Sequence, residues 1–414
     1  MTYDVIVVGA GPAGSIAAYE TARAGHTTLL LEKFPLPRDK PCGGAVMYRG
    51  LQIVHGAIPL HIIEQKIYGL RFILPGDKRA EFKSGKLIGI TVFRSRFDEY
   101  LARRAEAAGA ELIDEARVIK ASVEQNSALV RLDDGREFNS DVIIGADGVN
   151  STVSRSLGLR PEHKDLNSVG LGMEADFHVG ENGVMKAMNG DPSILEILPV
   201  SGRTSYGWVF PKREHLAIGI AGASVQMQPL RQIFEAFRRK QEARLGVELI
   251  PEKRRTYFLG GDGLRGKNIT NRALLIGDAA GFVDPMMGEG IAYAMRSGQF
   301  AANVIDDAFR RGSFTERSLS RYPQLCQDEF GANFAMAQWA GHQGLGFANS
   351  VLSKAQNLRM SSEIMVALSR GEMGYSDIPL LVLRKLPREL HGYIKKTVRE
   401  RMISRSGEKT LRRH

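Results

Sequence analysis

The chain of 414 residues is 43% hydrophobic and 25% charged, the composition of an ordinary globular protein with room for two or three domains and a sizeable core. Its two cysteines, Cys42 and Cys326, lie far apart, which excludes a disulfide framework and a ligand cluster for zinc or an iron–sulfur centre; no metal is expected, and a reducing, cytoplasmic compartment fits. Without a run of about eighteen apolar residues or a basic start, neither a membrane span nor a signal peptide is expected; the net charge of +10 gathers in residues 379–414, with eleven Lys or Arg against three Glu.

The opening "YDVIVVGAGPAGSIAAYETARAGHTTLLLEK" reads as strand, glycine turn, helix, strand. Gly9, Gly11 and Gly14 have the spacing G-x-G-x-x-G: the first permits a tight turn, the second lets backbone approach a pyrophosphate, and the third lets the helix pack on the strand. Glu32 closes the second strand eighteen residues past Gly14, where a carboxylate can accept from ribose hydroxyls. This fingerprint does not decide between NAD and FAD. In "RDKPCGGAVMYRG", residues 38–50, Gly43 and Gly44 leave room for backbone to pass close to a flat ring. Cys42 beside them is a small, soft group suited equally to a buried structural thiol and to a catalytic or cavity-lining one.

Further on, "FRSRFDEYLARRA" opens a helix, and "VIIGADGVNSTVSR" is a buried strand running into a glycine turn and a helix start. There Asp147, followed by Gly148, suits a helix cap and a cofactor contact equally. Residues 66–93 and 166–262 alternate short strands and turns, as in a sheet inserted into the first domain to roof a cavity. Within it "SYGWVFPK" places Tyr206, Trp208 and Phe210 on one face of a strand, either as sheet core or as a cavity wall. Two of these rings carry a polar tip, which suits a wall between an apolar ligand and a wet end. "QPLRQIFEAFRRKQEARLG" is an amphipathic covering helix, with Leu230, Ile233, Phe234 and Phe237 on one side.

"RALLIGDAAGFVDPMMGEGIAYAMRSGQFAANVI" is again a strand, then Asp278, then a glycine turn at Gly288 and Gly290 opening a helix. A carboxylate suits sugar-like hydroxyls, and amides at a helix start suit a group that becomes anionic, such as the N1–C2=O edge of a reduced flavin. From Pro323 the chain reads as helix, with Phe334, Trp339, Leu345 and Phe347 among small residues, either closing a tunnel or packing on the first domain. Beyond Pro387, Leu390, Tyr393, Ile394 and Val398 alternate with Arg388, Lys395, Lys396, Arg399 and Arg401, a basic amphipathic pattern suited to an anionic membrane surface or to a solvated tail. No nucleic-acid motif accompanies it.

"GAGPAG", "GADGVNSTVSR" and "GDAAGFVDPMMGEGI", in this order and spacing, resemble the FAD-binding elements of the para-hydroxybenzoate hydroxylase-like flavoproteins over roughly residues 1–310. The resemblance implies FAD as cofactor. It assigns Arg94, in that group's Arg-x-x-Phe/Leu-Asp helix start, to the pyrophosphate region, and carries Ala13, Lys33, Val118 and Ile291 into the cofactor's surroundings. The hydroxylases usually have a His after "GDAA", where this chain has Gly281. "RDKPCGGAVMYRG" and "YGWVFPK" together resemble instead the geranylgeranyl reductase family, which saturates isoprenoid chains of archaeal lipids, chlorophyll side chains or quinone tails.

That resemblance implies an α/β fold (α+β overall): a discontinuous Rossmann-type FAD-binding domain over 1–65, 94–165 and 265–322, an inserted antiparallel β-sheet substrate domain over 66–93 and 166–264, and a helical C-terminal region with a basic tail over 323–414. The expected function is FAD-dependent saturation of C=C bonds in an isoprenoid chain of a lipid, diphosphate, chlorophyll or quinone. Cys42, Tyr206 and Trp208 are the candidate catalytic groups, with Tyr206, Trp208 and Phe210 lining the substrate cavity. The proton donor stays open among Cys42, Tyr206, the flavin and a bound water. No second complete G-x-G-x-x-G unit follows residue 100, so electrons are expected from a docking ferredoxin, NADPH or a deazaflavin. The rival readings are an FAD monooxygenase or halogenase of the same fold and a non-catalytic prenyl-binding escort.

Overall fold

A computed structural model describes residues 2–381 apart from 75, 77, 161–168, 201–204, 261–262 and 356–358. The basic pattern from Arg388 to Arg401 therefore lies outside the described residues. The first layer is built on Thr2–Val8, which runs parallel to both Thr28–Leu31 and Glu137–Gly145. Ala273–Leu275 and Glu111–Ile113 extend the parallel core on either side, giving strands that are apolar on both faces because helices cover both. Pro12–Arg23 starts with proline in its first turn, where a missing N–H costs nothing, and packs along Ile291–Arg311. A Cβ on Gly298 would lie 2.5 Å from the Ala13 carbonyl oxygen, so the two helices touch through backbone.

The second layer is a seven-stranded sheet in the order Arg254–Gly260, Val169–His178, His215–Ala223, Tyr206–Pro211, Ile194–Pro199, Gly69–Ile73, Arg79–Lys83. Every pairing is antiparallel except that of Ile194–Pro199 with Gly69–Ile73. Gly180–Ala187 and Leu230–Leu245 cover one face, burying Val184, Phe234, Phe237 and Leu245 against Phe177, Val209, Ile218 and Ile220. The amphipathic covering helix read from the sequence is thus in place. With Val209 on that face, Tyr206, Trp208 and Phe210 stand on the other.

A small third sheet, Ala45–Met47, Gly89–Val92 and Ile63–Ile67, carries the glycines of residues 43–44. Gly44 has a φ of +77°, and its carbonyl accepts from the Val92 N–H at 2.9 Å. Arg321–Ala355 begins inside the first core, with Tyr322, Cys326, Phe330 and Phe334 buried and the Tyr322 hydroxyl donating to the Leu275 carbonyl at 2.7 Å. Arg359–Arg370 then folds back, burying Ile364 and Leu368. No helix among the described residues is long and apolar enough to cross a membrane.

Candidate active site

One cavity of about 1660 Å³ runs between the two large sheets, from Gly9 and Glu32 at one end to Met336 and Ile378 at the other. At the first end the glycine spacing does what the sequence requires. Gly9 has a φ of +106° and an added Cβ would lie 2.8 Å from the Ala146 carbonyl carbon, while one on Gly14 would collide with the Gly9 carbonyl. Beside Gly11 the protein leaves space: the nearest atom to an added Cβ is Nη2 of Arg38, at 3.6 Å. That open backbone at the start of Pro12–Arg23 fits a pyrophosphate.

Glu32 is buried, with Oε2 accepting from the Ala10 N–H at 3.0 Å and lying 3.1 Å from Nε of Arg38, and Oε1 accepting from the Phe34 N–H at 3.3 Å. Arg38 also donates from Nη1 to Oδ2 of Asp98 at 2.9 Å. Arg94 lines the cavity and binds Asp98 with both ends of its fork, at 2.7 and 2.8 Å. Burial alone would raise the Asp98 carboxyl, but the two guanidiniums hold it below the usual carboxylate range. Arg38 was missed as a site residue in the sequence reading, although it opens the quoted 38–50 segment.

Asp147 holds the start of Thr152–Ser156. Its Oδ2 accepts from the N–H groups of Thr152 and Val153, at 2.6 and 3.1 Å, and its Oδ1 is buried with no partner among the described residues. Gly148 beside it, Ala13, Lys33 and Val118 all line the cavity, and burial lowers the Lys33 ammonium pKa. Asp278 sits 3.8 Å from Nζ of Lys40, and its Oδ1 lies 3.5 Å from where a Cβ on Gly290 would be. Gly290 is the N-cap of Ile291–Arg311, so that carboxylate, Gly288 and Ile291 meet at the mouth of a long helix. Gly281 has a φ of +76°, a backbone that a His would occupy only under strain.

The three rings form the expected face. Successive ring centroids of Tyr206, Trp208 and Phe210 are 6.1 Å apart, and all three line the cavity. An added Cβ on Gly43 would lie 2.7 Å from both Nε1 of Trp208 and Cδ2 of Phe210, so the glycine is what brings residues 42–44 against the wall. Trp208 is 4% exposed and its Nε1 has no partner among the described residues. Tyr206 donates its hydroxyl to the Met287 carbonyl at 2.9 Å, and a side chain on Gly288 would strike that hydroxyl. Cys42 is half-buried and its Sγ accepts from the Gly44 N–H at 3.4 Å.

Beyond the wall the lining turns apolar: Leu70, Phe72, Leu195, Met287, Met336 and Leu368. Ala332, Ala335, Met336 and Trp339 line this end while Phe334 of the same helix packs in the core. The side chains of Leu345 and Phe347 lie outside the described residues.

A polar group beside the cavity had no signal in the sequence. Arg49 donates to Tyr293 at 2.9 Å and to Oε2 of Glu289 at 2.7 Å, and Oδ1 of Asp284 accepts from the N–H groups of Met286 and Met287. Burial raises the carboxyls of Asp284 and Glu289.

The FAD-binding domain family model matches residues 2–327. The menaquinone reductase of Mycobacterium tuberculosis is 30% identical over 81% of this chain and 82% of its own length. The chloroplastic geranylgeranyl diphosphate reductase of Oryza sativa is 30% identical over 77% of this chain and 70% of its own. The chain belongs to the geranylgeranyl reductase family of FAD-binding proteins. Among solved structures, a geranylgeranyl bacteriochlorophyll reductase-like protein of Thermoplasma acidophilum overlays 93% of this chain and 99% of its own with a TM-score of 0.78 at 23% identity. The brominase Bmp2 overlays 96% of this chain and 100% of its own at 0.73 and 18% identity, a likeness of fold.

As a member of this family the protein is an FAD-dependent oxidoreductase. The residues present fit that cofactor: open backbone at Gly11, an unpartnered Asp147 oxygen, an unpartnered Trp208 N–H and a helix N-terminus at Gly290 all face one cavity. Glu32, Lys33, Asp147 and Asp278 give this cavity its polar lining, and residues 42–44 with the aromatic wall line it as well.

Proposed function

We propose that the protein saturates C=C bonds of a prenyl chain carried by a lipid, a diphosphate, a chlorophyll or a quinone. The observation that carries this is the shape of the cavity: one continuous space passes from the glycine fingerprint, across Tyr206, Trp208 and Phe210, into a limb lined by aliphatic and methionine side chains. A prenyl chain of many isolated trisubstituted alkenes matches such a limb along its whole length. Reduced FAD supplies the hydride when bound. The wall lays the chain flat, and the Met287, Met336 and Leu368 limb keeps water from the reacting bond. Residues 1–65, 94–165 and 265–322 serve the cofactor, 66–93 and 166–264 the substrate, and 323–414 the far end and the approach to an anionic membrane. Electrons arrive from an external ferredoxin, NADPH or deazaflavin. Two relatives whose names specify prenyl substrates, the Oryza sativa diphosphate reductase and a digeranylgeranylglycerophospholipid reductase of Methanosphaera stadtmanae, support the substrate class.

The test is anaerobic incubation of the dithionite-reduced enzyme with a panel of prenyl lipids, diphosphates and quinones, read by mass spectrometry. An increment of two daltons per saturated bond on at least one substrate is expected. FAD-loaded enzyme that adds none, or that makes product only with oxygen, overturns the reading.

A further inference from the structure

Reduction of an alkene needs a proton as well as a hydride, and two titratable side chains, Glu174 and Tyr257, stand on the sheet that carries the wall. Trp208 pairs in register with Gly219, Gly219 with Glu174, and Glu174 with Arg255, so one row crosses four strands of the large sheet. The adjacent row is Tyr206, Ala221, Gly172, Tyr257. Two of the intervening positions are glycines, and aromatic rings fill the space above them. A Cβ on Gly219 would strike the indole of Trp208, and one on Gly172 would lie 2.9 Å from the Tyr257 hydroxyl. Gly172 and Glu174 are two residues apart on one face of Val169–His178, so Glu174 and the Tyr257 that pairs with Gly172 stand on the same face in neighbouring rows.

Glu174 is 1% exposed and does not itself line the cavity, whereas Tyr257, Tyr206 and Cys42 do. Its Oε2 has no partner among the described residues, and Oε1 lies 3.7 Å from Nη1 of Arg255. The groups facing it are Asp176 on its own strand, Lys212 paired with Asp176, Arg255 and Tyr257 on the neighbouring strand, Asp39 held by Arg255 at 3.3 Å, and Cys42. Burial and the Asp176 carboxylate push its pKa up to about 7, against the pull of Lys212 and Arg255. The Tyr257 phenol is raised well above its ordinary value, by burial first and then by Tyr206, Glu174 and Cys42, so it is a poor acid unless its proton is replaced as it leaves.

We propose that Glu174 is the proton store of the active site and acts through the Tyr257 hydroxyl. The inference rests on the reductase reading above. As the C–H bond to the transferred hydride forms at one alkene carbon, the Tyr257 O–H bond breaks and its proton bonds the other carbon. The Glu174 O–H bond breaks in turn to restore the phenol. The alkene is reduced by two electrons, the flavin is oxidised by two, and the Glu174 carboxylate, held beside Arg255, regains a proton from water. Tyr257 is then a catalytic residue and Glu174 a positioning residue behind it.

The test compares the FAD-loaded wild type with Glu174→Gln, which keeps the size and removes the titrating proton, and with Tyr257→Phe, which keeps the ring. Infrared difference spectra across pH 5–9, read without substrate, should show a carboxylic acid band that titrates near neutral pH in the wild type and in Tyr257→Phe and is missing in Glu174→Gln. Single-turnover saturation should fall on the order of a hundredfold in both variants, and Glu174→Gln should lose the decline of rate above neutral pH. A Glu174→Gln enzyme with the wild-type pH profile, a wild type without the titrating band, or a Tyr257→Phe enzyme at full rate overturns the proposal while leaving the reductase reading intact. If Glu174→Gln does not fold, the Tyr257→Phe rate and the wild-type band decide. A wild type that saturates nothing overturns both.

Discussion

The indole nitrogen of Trp208 lies 2.7 Å from the point where Gly43 would carry a Cβ. The segment that brings Cys42 to the site and the wall it faces are therefore matched to within a methyl group. Gly43→Ala forces either Trp208 or the 42–44 backbone to move, and overpacking of this kind costs about 1–3 kcal/mol. FAD uptake, read from the flavin absorbance, should survive, while saturation falls tenfold or more. A variant with unchanged turnover would show that the wall need not be held so closely.

Trp208 separates wall from core directly. Trp208→Ala should keep FAD and lose turnover, or change which bonds of a prenyl chain are saturated. A loss of about 3–5 kcal/mol in denaturant unfolding, the cost of emptying a packed core site, with normal turnover in the folded fraction, would assign the ring to the core instead.

Glu174 makes stability depend on pH with a definite sign. A carboxyl raised in the folded state binds its proton more tightly than in the unfolded chain, so stability falls as pH rises from its ordinary value near 4.5 through about 7. The whole step is worth about 3 kcal/mol at most. Denaturant midpoints of the FAD-free protein should decline over that window in the wild type and stay flatter in Glu174→Gln. Parallel curves for the two proteins would exclude the raised carboxyl.

Asp98 acts with the opposite sign. Its folded value is depressed, so the stability from its contacts with Arg94 and Arg38 is present above the unfolded carboxylate range and is lost as pH falls through the folded value. Asp98→Asn leaves two guanidiniums without their shared partner and should cost about 3–5 kcal/mol at neutral pH. Its acid limb should be shallower than that of the wild type; equal stability of the two proteins at pH 7 would remove the pair from the site's support.

Much of the site was legible because it depends on local periods. Alternation placed Tyr206, Trp208 and Phe210 on one face, and the spacing of Gly9, Gly11 and Gly14 required the open backbone that the structure shows at Gly11. Asp147 left two roles open, and the structure shows one of them, Oδ2 holding the N–H groups of Thr152 and Val153. Glu174 and Tyr257 were not legible, because their neighbouring positions follow from the register of two separate strands, which no single strand's alternation encodes. Arg38 escaped for a related reason: its partners, Glu32 and Asp98, come from two different strand-to-helix units.

The cavity draws its walls from residues as distant in sequence as Val8 and Pro379. A molecule that fills it therefore ties the first strand of the chain to its last described turn, and acts as a removable cross-link. Ligand occupancy and resistance to unfolding are linked: at a free ligand concentration a hundred times the dissociation constant, binding alone adds about 2.7 kcal/mol. Each round of cofactor or substrate loss returns the enzyme to its least durable form, so the supply of both sets how long the protein lasts as well as how fast it works.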